Sequence, residues 1–232
     1  MNTPNAESLK PLDLAFLADW DFVGSVGDYK HKQACVMSAA VAAVRVARGV
    51  DMNGATDSLE CVCPVVRRLM IARNDVTENA AERKAWALSM IPRIVDTNAG
   101  KALSVKRAEH LARYAIRVIA AEAMDSAKLP DEAAKLRSIS DETSMRDCRA
   151  VAREARDSAN RERDKRYAAA AAAAADAAAD AAADAAYAAA DAAADAAYAA
   201  ADAAADAAAA KRLQIRLRHL DAMIEMTLSI KE

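Results

Sequence analysis

Apolar side chains recur at helical spacing through the first 140 residues, with short breaks between the runs. Leu12, Phe16 and Trp20 share one face of a helix predicted over 9–20. The stretch 29–48 is strongly helical and closes at Gly49, a residue type that readily takes the left-handed turn on which helices end. Val65, Val66, Leu69 and Met70 predict a helix over 64–73. Thr77 offers an N-cap to a helix carrying Trp86, Leu88 and Met90, which Pro92 bends or ends. Leu103, Leu111, Tyr114, Ile116, Val118 and Ile119 mark a helix over 101–127, and Pro130 suits the first turn of a short one ending near Ile139. No period-2 run predicts a strand.

The pattern then changes. All five Gly and all five Pro precede residue 131, so the last 102 residues lack both strong helix breakers. Ser140 or Asp141 can cap a helix with no stop signal before Ser229; unbroken, it would span roughly 130 Å. Alanine, the best helix former, dominates it. Asp180, Asp191 and Asp202 are spaced by eleven, as are Asp184, Asp195 and Asp206, and Tyr187 and Tyr198. Eleven residues make three turns, a right-handed hendecad period, so these side chains form one stripe on an alanine rod. The register continues into Leu213, Leu217, Leu220, Ile224 and Leu228, where the stripe becomes an apolar packing seam.

The predicted fold is therefore all-α. A segment with a short helix (1–28) precedes a compact helical domain (29–139), and a long Ala/Asp-rich helix follows (140–230), with its repeat at 176–210 and a Leu-rich end at 211–230. An alanine surface lets helices approach closely, and an isolated helix of this kind would expose much apolar area. Both points favour a coiled-coil-like oligomer over a lone stalk held by propensity.

Charge adds asymmetry. The totals nearly cancel, 32 basic against 34 acidic, which gives no general argument for nucleic acid or an anionic membrane. Residues 168–210, however, carry seven Asp and no Lys or Arg, while 141–167 carry eight basic and seven acidic residues and 211–232 carry five basic and three acidic. An acidic rod could mimic nucleic-acid phosphates, as in a counter-defence protein that sequesters a host factor; the basic clusters at both ends oppose this. Hydrated carboxylates likewise suit an ice-binding face poorly. Apolar content is 54%, but alanine inflates it, and the tract's regular Asp argue against a membrane span. The N-terminus shows no basic segment followed by an apolar one, so no secretion signal is read. The expected location is the cytoplasm of a bacterial host, or a virion.

Candidate chemistry is sparse. No G-x-S-x-G, P-loop, G-x-G-x-x-G or H-E-x-x-H is present, so no catalytic residue is assigned and the protein is expected to be non-enzymatic. His110 and His219 have no evident partner. His31 and Cys35 fall four apart in a helical pattern and can face one way; with Cys61 and Cys63 they make one imidazole and three thiols, a possible zinc set. C-x-C is tighter than the usual finger spacing, and core packing of small thiols is the simpler reading. No disulfide is expected without a secretion signal.

The segments His31-x-x-x-Cys35, Cys61-Val62-Cys63-Pro64-Val65, Arg73-Asn74-Asp75 and Ile91-Pro92-Arg93 resemble a group of uncharacterised helical proteins from tailed-phage and actinobacterial genomes, often with an Ala-rich tail of variable length. The resemblance covers about 29–140 and implies a phage or prophage origin; it supplies no activity and no catalytic residues. The expected function is a phage-type structural or protein-interaction protein, with the long helix as oligomerisation or spacer element and a second copy or another protein as partner. A zinc-dependent binding or catalytic domain at the His/Cys set is the alternative.

Overall fold

The computed structural model describes residues 12–126, 128–161 and 209–231. They are mostly helical, with two short strands. The chain divides into two compact units: one comprises residues up to 62 together with 74–97, the other 63–73 and everything from 98 onward.

The first unit opens with a single 3-10 turn, Ala15–Leu17, where a full helix was expected; it buries Leu17. Strands β1 (Asp21–Phe22) and β2 (Gln33–Ala34) then pair in parallel, a feature too short for alternation in sequence to reveal. The loop joining them passes through Gly27 at φ 84°, where an added Cβ would lie 2.4 Å from the Gln33 carbonyl oxygen, so this approach requires glycine. Helix α1 (Val36–Arg48) starts seven residues later than the pattern suggested and ends, as expected, on a left-handed Gly49. Every residue from Val36 to Val44 is buried, so this part of α1 is enclosed all round, while the last turn opens at Val46 and Arg48. Asn74 staples its start: the side-chain oxygen accepts from Val36 N–H at 3.2 Å and the amide donates to the Val23 carbonyl at 2.9 Å. Helix α3 (Ala80–Ile94) is capped by Asn79, whose side chain accepts from Glu82 N–H at 3.0 Å, rather than by Thr77. Pro92 lies inside its last turn and the helix runs two residues beyond it.

The second unit takes in most of α2 (Pro64–Val76), with Pro64 opening the helix and Val65, Val66, Leu69 and Met70 buried as their spacing predicts. The helix predicted over 101–127 divides into α4 (Lys101–Tyr114), a π segment (Ala115–Ala120) and α5 (Ala121–Ser126). Helix α6 (Pro130–Arg137) packs on α5 and on the π segment, and α7 (Met145–Arg161) packs on α6. Ser144 caps α7: its hydroxyl accepts from Asp147 N–H at 3.2 Å and donates to the Asp147 carboxylate at 2.7 Å. The start expected at Ser140 or Asp141 fails because Ser140 is engaged with Thr143 in the preceding turn. Helix α8 (Ala209–Ser229) packs on α4. No helix among the described residues is long and apolar enough to cross a membrane.

Candidate functional site

The His/Cys set is taken apart by the backbone. His31 closes a 3-10 turn (Tyr29–His31), Lys32 is left-handed at φ 53°, and β2 intervenes before Cys35. His31 and Cys35 therefore do not share a helix face, contrary to their i, i+4 spacing. The His31 ring is 74% exposed and its Nδ1 lies 2.9 Å from Asp28 Oδ2. Cys35 is buried and caps α1, its Sγ accepting from Ser38 N–H at 3.4 Å. Cys61 is half-buried, and burial pushes its thiol above the ordinary value. Among the described residues no three His, Cys, Asp or Glu side chains come together in a way that could hold a metal ion.

Cys63 is chemically distinct. It precedes Pro64 at the start of α2, and its Sγ lies 3.5 Å from Ser104 Oγ on α4. Burial pushes its thiol up, but hydrogen bonds from Ser104, the Val66 and Val65 backbone and Arg107 outweigh that and leave it below the ordinary value. Competition limits the effect. The Ser104 hydroxyl has one proton, and the Gly100 carbonyl is 3.0 Å from it; with the proton there, the Cys63 S–H donates to Ser104 instead. Cys63 is 0% exposed, so its chemistry serves the start of α2 rather than an open nucleophile.

The richest polar cluster lies where α8 docks. His219, 1% exposed, sets Nδ1 3.2 Å from the Tyr114 hydroxyl on α4 and Nε2 3.1 Å from Glu122 on α5. Arg218 donates to the same Glu122 oxygen at 2.6 Å. The π segment makes this meeting possible. On a regular α-helix Tyr114 and Glu122 would point about 80° apart; the wider i→i+5 turns between them wind less per residue and carry Glu122 back toward Tyr114's side. The His219 bond, helped by Arg218, holds the Glu122 carboxyl below its usual range against the opposing effect of burial. Burial, then the Glu122 charge, push the Tyr114 phenol up. Tyr–His–Glu has the order of a nucleophile, base and orienting acid, yet an activated nucleophile needs a depressed pKa and an open face. Here the phenol is shifted the other way and the imidazole is enclosed, so the cluster is a clamp. Both ring nitrogens keep a partner whether the ring is neutral or charged, because the Tyr114 hydroxyl can reverse its role.

Three more polar contacts fasten α8. Arg73 of α2 donates to Asp221 at 2.8 Å, Arg107 to the Ile230 carbonyl at 3.1 Å, and Lys106 to the Lys231 carbonyl at 3.3 Å. Tyr114 meets the helix near its middle and Arg107 meets the residues after its end, so α8 runs antiparallel to α4. Within the sequence-predicted seam Leu217, Leu220 and Ile224 are buried, while Leu213 and Leu228 are only partly covered; Met223, Thr227 and His219 complete the buried face. Its partner is α4 of the same chain. His219 was missed in sequence because its partners stand 105 and 97 residues away; the available signal was a histidine adjoining an apolar seam. The Asp180, Asp184, Tyr187, Asp191, Asp195, Tyr198, Asp202 and Asp206 stripe lies outside the described residues.

No family model, curated protein or solved structure matches the chain. The phage-type resemblance thus rests on its sequence motifs alone.

Proposed function

We propose that the protein is a non-enzymatic structural or interaction protein in which the second unit holds both ends of the alanine-rich stretch and presents its Asp/Tyr stripe to other copies of the chain. The observation that supports this reading is the placement of the two flanking helices. α7 precedes residues 162–208 and α8 follows them, and both belong to the second unit. A simple tail or spacer needs one attachment. Here the chain makes a second one, fastened by a buried imidazole, two ion pairs and carbonyl contacts at its end. By sequence the tethered stretch combines a regular acidic stripe with an otherwise alanine surface that permits close helix approach. The zinc alternative at His31, Cys35, Cys61 and Cys63 draws no comparable support from the geometry.

Light scattering with small-angle X-ray scattering on the full chain tests this. The expected mass is a multiple of 24.6 kDa. A compact 24.6 kDa monomer at all concentrations would overturn the reading.

A further inference from the structure

Helix α7 is divided by charge along its length. Cys148, Ala152 and Ala155 form its buried stripe. On one flank Glu154 pairs with Lys135 of α6 at 3.1 Å, and Glu132 of α6 accepts from Ser158. On the other, Arg146, Arg149, Arg153 and Arg156 follow at intervals of three, four and three, within an arc of about 80°. Arg156 pairs with its neighbour Asp157. Among the described residues nothing pairs with Arg146, Arg149 or Arg153. Several other basic side chains of the second unit are matched by acids: Arg73 by Asp221, Arg117 by Asp141, Arg137 by Asp125 and Arg218 by Glu122.

We propose that this arginine flank of α7 is a docking surface for the Asp stripe of a second copy of the chain, at Asp180, Asp184, Asp191 and Asp195. Resting on the assembly reading above, it names the surface that assembly uses. Two features favour this occupant. The Asp recur in a regular eleven-residue pattern with no Lys or Arg anywhere in 168–210, so the stretch is the one strongly acidic complement that the sequence offers to a row of arginines. Each chain also carries one stripe of each sign, and two copies related by a two-fold axis satisfy both pairs at once, the requirement for a closed self-complementary interface. Alanine around each Asp leaves room for the guanidinium to approach, and its planar fork suits a carboxylate better than an ammonium would. Single exposed pairs contribute little, so the specificity resides in the row.

Charge exchange in the full chain tests it. Arg146→Glu/Arg153→Glu, both at exposed positions, should weaken self-association by roughly tenfold or more, as should Asp180→Lys/Asp184→Lys/Asp191→Lys/Asp195→Lys. Mixing the two variants should restore an assembly containing both. A milder variant, Arg146→Gln/Arg149→Gln/Arg153→Gln, covers the case in which the reversed charges impair folding, with circular dichroism as the check. Light scattering reads the mass throughout. A wild-type chain that is monomeric throughout overturns the assembly reading and this inference with it. A wild-type assembly that the arginine variants leave intact overturns this inference alone. So do variants that stay apart when mixed, as contact within one chain would give, or variants that lose only affinity for a short DNA duplex.

Discussion

The alanine-rich stretch is bracketed by two helices that hold the same unit in opposite ways. α7 buries one thiol and two methyl groups, Cys148, Ala152 and Ala155. α8 buries Leu217, Leu220, Met223 and Ile224 and adds His219 and Thr227, each with a hydrogen-bond partner. A fully buried Leu, Ile or Met contributes about 1.5–3 kcal/mol, an alanine methyl about 0.8 kcal/mol. The departing helix is therefore lightly seated and the returning helix firmly so. Small side chains suit a helix whose other flank carries unmatched arginines; large ones, with polar groups that pair only in one register, fix where the chain comes back.

That contrast can be broken most readily at Leu220. Leu220→Ala should lower stability by about 3 kcal/mol in denaturant unfolding, against about 1 kcal/mol for Cys148→Ala. Equal losses would end the distinction between the two helices. His219→Leu keeps the apolar contact but strips Tyr114 and Glu122 of a partner, and should cost about 2 kcal/mol. Adding Tyr114→Phe to it should cost less than the sum of the two single changes, since both remove the same bond.

The pH dependence sharpens the comparison further. Glu122's carboxyl is lower in the folded chain than in the unfolded one, because His219 and Arg218 favour its charged form. Its stabilisation is therefore present above the ordinary carboxylate value and is lost as pH falls through the lowered one. Unfolding curves of Glu122→Gln should show a shallower loss of stability in that acid window than the wild type; an identical acid limb would remove the clamp from the account. The smallest expected effect is at the start of α7. Ser144→Ala should cost about 1 kcal/mol, the loss of one N-cap.

Much of the helical framework was legible because its signals are local. Pro64 and Pro130 stand at helix starts, Gly49 ends α1, and Val65, Val66, Leu69 and Met70 face inward as their spacing requires. The candidate site was less so, for physical reasons. A single left-handed residue, Lys32, resets the chain between His31 and Cys35. The Tyr114–His219–Glu122 clamp needs a π segment to bring two of its members to one side, and long-range packing to deliver the third. The arginines of 141–167 read in sequence as a mixed charge cluster; they separate into a row only once Cys148, Ala152 and Ala155 show which side of α7 is covered. The seam from Leu213 to Leu228 was legible as a packing face, but its partner α4 was not, since nothing in a periodic pattern says which helix will cover it.

The account turns on α7 and α8 being fastened to one unit. Pulsed electron–electron distance measurement tests that directly, with spin labels at positions 150 and 225 attached through an encoded keto-bearing residue that leaves the native thiols untouched. Two sites in a compact unit of this size should lie within roughly 40 Å of each other. One straight helix through both positions would separate them by roughly 110 Å, beyond the range of the method, and the absence of a short distance would contradict the account.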